Sequence, residues 1–132
     1  MSAFGKHYIL LPNHQVAETD LMGWAEWFQV NDRHVGDTTT ELFWISTVFL
    51  GLDHSWGRGP PVLFETMVFE RDFSQPPPLL KNFVTDDLDH ETHRYCTWDD
   101  AEAGHDTTVR RILKIEADAT VAMIARAKEN QR

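Results

Sequence analysis

Two runs near the centre of the chain, 43–50 (FWISTVFL) and 62–69 (VLFETMVF), consist mostly of β-branched and aromatic side chains. Such residues lose rotamer freedom in helices and pack well on pleated surfaces, so both runs read as strands. They are bounded by Gly and Pro and are expected to pair antiparallel, although the connection 51–61 (GLDHSWGRGPP) is too long for a tight hairpin. Along the second run Val62, Phe64, Thr66 and Val68 point one way, and Leu63, Glu65, Met67 and Phe69 the other. Both faces of that strand are therefore expected to be largely covered, which makes Glu65 the odd member: it sits either at a wet rim or against a specific partner.

The rest of the chain must supply the cover. Trp98, Ala101, His105, Thr108, Ile112, Ile115, Ala119, Met123 and Ala127 recur at helical spacing. Thr97 is placed to cap that helix with Asp100 at the third helical position, and the stripe is satisfied by one long helix or two consecutive pieces. A shorter stripe, Leu21, Trp24, Ala25 and Phe28, follows Asp20 as N-cap and predicts a helix to about Asn31. Further strands are expected at 8–11, returning over 15–17 after Pro12-Asn13-His14, at 35–40 and at 93–96. Gly104, inside the last helix, predicts close approach of another backbone.

Segment 71–91 loses periodicity and contains Pro76-Pro77-Pro78, so it reads as an irregular loop tethered by Leu79, Leu80 and Phe83. The expected fold is α+β, an antiparallel β-sheet packed against an N-terminal-half helix and a long C-terminal helix. At 132 residues it forms a single domain, 1–132.

Twelve Lys+Arg against twenty-one Asp+Glu give a net charge of −9, which repels nucleic acid and anionic membrane surfaces. No window holds the roughly 18 apolar residues that span a bilayer, and MSAFGKHYILLPNH lacks the pattern of a secretory leader, so a cytoplasmic location is expected. Cys96 is the one cysteine and reads as a small buried hydrophobe. Charge is segregated: residues 81–106 hold two basic and eight acidic side chains, whereas 110–132 hold six basic and three acidic, a net of +3. A solvated acidic face is one reading; docking on a basic partner is the other.

Candidate chemistry concentrates in 51–61. Asp53-His54 at a strand end could form an acid–base or ligand pair, and Trp56 with Arg58 could offer an aromatic plane and an anion clamp. The alternative is a structured loop whose Trp packs back on the core. Gly57-Arg58-Gly59 fails as a phosphate loop, because prolines follow and no helix begins there. Glu102 and His105, three apart on a helix, together with His54 and Glu65, form a possible set of ligands for a divalent metal. Against it stands the more ordinary role of a helical His as a hydrogen-bonded core residue. His90 and His93 form a weaker chelating pair.

The blocks STVFLGLDH (46–54), GPPVLFETMVF (59–69) and, after Tyr95, TWDDAEAGH (97–105) resemble a family of small uncharacterised proteins of bacteriophage and prophage genomes, over about residues 7–112. Segment 71–91 is longer than the usual connection there. The resemblance implies a genomic setting and no particular active site. It favours a small acidic binding protein that docks on a host or phage protein, including inhibitors of bacterial defence. A metal-assisted hydrolase and a small-molecule or nucleotide binder are the alternatives, and a homodimer is compatible with all three.

Overall fold

The computed structural model describes residues 6–73 and 75–132. Residues 1–5 of the N-terminal stretch and Ser74 of the proline-rich segment lie outside the described residues. In chain order the elements are β1 (His7–Leu10), β2 (Val16–Thr19), α1 (Leu21–Val30), β3 (His34–Thr39), β4 (Phe43–Phe49), β5 (Phe64–Glu70), β6 (Thr92–Tyr95) and α2 (Trp98–Glu129). The fold is α+β. β1 and β2 form a hairpin, and β3-β4-β5-β6 form a four-stranded antiparallel sheet in sequence order. The two aromatic runs pair over seven positions, from Phe43 opposite Glu70 to Phe49 opposite Phe64.

α2 is one unbroken helix. The Thr97 side chain accepts from the Asp100 amide at 3.1 Å, satisfying one of the free donors at the helix start. Asp99 and Asp100 lie in its first turn, and Arg126 and Lys128 in its last, each suited to the local end of the helix dipole. Ala101, His105, Thr108, Ile112, Glu116 and Ala119 are buried as α2 crosses the sheet. They meet the strand face formed by Phe43, Ile45, Thr47 and Phe49 of β4 and Phe64, Thr66 and Val68 of β5. The core has two halves, one around Phe49, Leu63 and Phe64, the other around Leu42, Phe43, Ile45, Val68, Leu88 and Ile112.

α1 covers the first half with Trp27 and Phe28, while Leu21 is 58% exposed and Ala25 faces solvent. The predicted stripe is thus rotated. Gly51, at φ +72°, lets Trp24 and Phe28 close on the backbone at the end of β4, and that contact sets which side of α1 faces inward.

Every residue of β5 is buried or half-buried, as expected, but its two faces are covered by different means. Both helices lie on one side, and no helix packs on the other face of the four-stranded sheet among the described residues. That open face carries Trp44, Ser46 and Val48 from β4, and Glu65, Met67 and Phe69 from β5. Trp44 remains 38% exposed and stacks on Phe69 at 5.1 Å.

Segment 71–91 holds two short 3-10 helices, Leu79–Phe83 and Asp86–Leu88, where a structureless loop was expected. One or two turns are too short to leave a periodic signature. Its anchors are Leu88, which is buried, together with Phe73, Leu80 and Val84; Leu79 is 63% exposed. At Gly104 the close neighbour is the ring of Tyr95, whose hydroxyl would lie 2.2 Å from an added Cβ, so a side chain occupies the space expected for a backbone. Cys96 is partly exposed and not buried as expected, because it lies just outside the capped end of α2.

Candidate functional site

The 51–61 connection is held at its base by one carboxylate. Asp53 Oδ1 accepts from the Ser55 amide at 2.8 Å and from the Val62 amide at 3.0 Å, and the His54 amide donates to the Val62 carbonyl at 2.9 Å. Burial pushes the Asp53 carboxyl up, but the Ser55 and Val62 donors outweigh it and hold the group below its usual value. Asp53 is therefore a loop clasp. Replacing Asp53 with Ala is expected to weaken this clasp by about 1–2 kcal/mol. Hydrogen exchange would read that as faster exchange of the Ser55 and Val62 amides, with α2 protection unchanged.

Above the clasp the chain turns outward. Trp56 takes φ +56°, the flanking Gly57 takes φ +76° and Gly59 φ +79°, and nothing lies within 4 Å of where a Cβ would stand on either glycine. Trp56 is 90% exposed, and Arg58 is exposed beside it. The reading in which this Trp packs back on the core is overturned. Its left-handed backbone and the clasp below direct it away from the body.

The four metal candidates do not converge. Glu65 lies on the open face and receives Arg94 Nε at 3.0 Å. His105 lies on the helix side of the same sheet, Glu102 is exposed on α2, and His54 stays in the loop, half-buried. Residues three apart on a helix differ by about 60° around its axis, enough for one to be buried while the other faces water. Among the described residues no group of three His, Cys, Asp or Glu is placed to hold a metal ion. His93 turns to Glu91 at 3.0 Å, and Glu91 is shared with Arg111, while His90 lies 3.5 Å from Asp89.

His105 instead completes a buried polar relay. Its Nε2 lies 2.9 Å from Thr38 Oγ1, its Nδ1 lies 2.7 Å from Thr47 Oγ1, and Thr47 lies 2.5 Å from Thr66 Oγ1. Hydroxyls can donate to one ring nitrogen and accept from the other, so neutral imidazole is satisfied without a charge. Burial accordingly holds the His105 pKa below its ordinary value, against the weaker opposing pull of Asp106 and Asp37.

Two features escaped the sequence reading. Glu116 is buried, with Oε2 accepting from Thr40 Oγ1 and from the Leu42 amide, both at 2.8 Å. Its place four residues after Ile112 on the inward stripe was the available signal. The other is a groove of about 470 Å³ between the β1–β2 turn and the start of α2, where the His14 ring stacks on Trp98 at 3.7 Å and Cys96 lines the wall. Partners more than eighty positions apart leave no local signal.

No helix among the described residues is long and apolar enough to cross a membrane. No family model, curated protein or solved structure matches the chain.

Proposed function

We propose that the protein is a non-enzymatic binding protein that docks on a protein partner, with Trp56 at the tip of the 51–61 loop as its anchor. The observation that carries this reading is the 90% exposure of Trp56 on a clasped loop. Leaving an indole in water forgoes about 4–6 kcal/mol of burial, at about 25 cal/mol per Å² over roughly 150–250 Å². Left-handed backbone at a bulky residue adds a further cost. A partner pocket recovers the first, and a pre-shaped loop surrenders little entropy on docking. Arg58 is exposed beside it, and Trp and Arg are both enriched at interface hot spots. The net charge of −9 favours a basic partner surface through long-range attraction. The hydrolase reading lacks a convergent site, since its four residues are engaged separately.

The resemblance to phage proteins supports a partner in the bacterial host or the phage itself, and interference with a bacterial defence protein is one such role. Parallel pull-downs from bacterial lysate at low salt, with wild type and Trp56→Ser as baits, test the reading. A partner found on wild type is expected to bind Trp56→Ser about 100-fold more weakly, or about 2.7 kcal/mol. Equal binding to both baits, or no partner at low salt, rejects it.

A further inference from the structure

Among the described residues, two apolar surfaces of this chain have no helix or strand packed over them. One is the open face of the four-stranded sheet, centred on Trp44, Met67 and Phe69. The other is the end of α2. Glu116 bonds to Thr40 and Leu42 at the turn between β3 and β4, and Ala119 is the last buried residue of the helix. The helix nevertheless continues through Thr120–Glu129, a further ~15 Å at about 1.5 Å per residue. Met123 and Ala127 prolong the inward stripe at its own spacing, with no sheet beneath them, and Val121 and Ile124 beside them are 69% and 48% exposed.

The charges of the two surfaces are opposite. Residues 120–132 carry Arg126, Lys128 and Arg132 against Glu129, a net of +2, which leaves 1–119 with −11 of the overall −9. At the β3–β4 end of the open face, Asp37 accepts from Trp44 Nε1 at 2.6 Å, and Glu41 and Asp72 are exposed nearby. The cations near that corner and on the face are engaged: Arg71 with the Thr40 and Glu41 carbonyls, Lys81 with Glu70, and Arg94 with Glu65.

We propose that two copies of the chain associate reciprocally, the last three turns of α2 in each covering the open sheet face of the other. The tail cannot reach its own open face, because the helix lies straight along the opposite side of the sheet. A two-fold axis beside the β3–β4 turns places the sheets end to end, with the two helices on opposite outer layers. Each tail then reaches from the Trp44–Phe69 row toward Val48, about 4 residues of strand at roughly 3.3 Å each. Both sheets acquire helices on both faces, and each basic tail meets an acidic rim. Pairing of tail with tail would instead bring like charges together.

Sedimentation analysis of the full chain tests this with Trp44→Glu, which spoils the face, and Ile124→Glu, which spoils the tail. Wild type is expected at twice the 15.3 kDa chain mass. Each variant alone is expected to dimerise at least tenfold more weakly, because both contacts of its homodimer contain one spoiled partner. Their equimolar mixture is expected to recover dimer, since one intact tail then meets one intact face. Circular dichroism melts of both variants check that the fold persists. A monomeric wild type overturns the proposal, and so does a mixture with no recovery, which is the outcome for helix-to-helix or face-to-face dimers.

Discussion

Replacement of Glu116 by Ala is expected to lower stability by about 3 kcal/mol, roughly 10 °C in melting temperature. The effect comes from what the carboxylate holds, more than from the atoms removed. Glu116 Oε2 takes the hydroxyl of Thr40 and the amide of Leu42, tying the β3–β4 turn to α2 across 74 and 76 positions of sequence. Leu42 is 1% exposed, so its amide has no water to turn to when the acceptor is lost. Glu116→Gln keeps a carbonyl for these donors and is expected to recover more than half of the loss. Its amide group would fall where Oε1 has no partner among the described residues, which prevents full recovery. Urea unfolding measures both, and an Ala variant within about 0.5 kcal/mol of wild type removes this account of the turn.

Gly36→Ala is expected to cost about 2–4 kcal/mol, because the new methyl would stand 2.6 Å from the His105 ring. The ring cannot withdraw without releasing Thr38 and Thr47. Combining the change with His105→Ser, which vacates the space, is expected to show coupling of about 1–3 kcal/mol. Additive losses would mean that the two residues do not touch.

The same imidazole dictates a pH dependence. Burial holds its native pKa below the unfolded value of about 6.5, so the unfolded chain takes up this proton first. Its share of stability is complete above about pH 6.5 and declines as the pH falls below that value. In His105→Gln this limb is expected to vanish. What remains is the loss below about pH 4, where Asp53 and Glu91 take up protons. For both, burial raises the pKa but is outweighed by hydrogen bonds, from Ser55 and Val62 to Asp53 and from His93 and Arg111 to Glu91. Unfolding midpoints followed from pH 7 to pH 5 in both proteins check this, and parallel curves would contradict it.

Much of the fold was legible because its signals are local. The runs at 43–50 and 62–69 pair as β4 and β5, and Thr97 caps a helix whose stripe could be counted residue by residue. Glu65 was recognised as odd, and its partner proved to be Arg94 on the neighbouring strand. The 51–61 loop was marked by composition, but whether Trp56 turned inward or outward was not. That choice rests on the Asp53 clasp and on left-handed backbone at Trp56, Gly57 and Gly59.

Sequence alone determined the elements and the stripe that buries α2, because strand and helix periods act over a few residues. It also contained the segregation of charge along the chain. Only the tertiary structure decided that His105 meets Thr38 and Thr47 and not Glu102, that Glu116 holds a turn, and that one face of the sheet carries no helix. Each of these depends on where surfaces meet in space, and a periodic pattern records which residues share a face without recording what that face will touch.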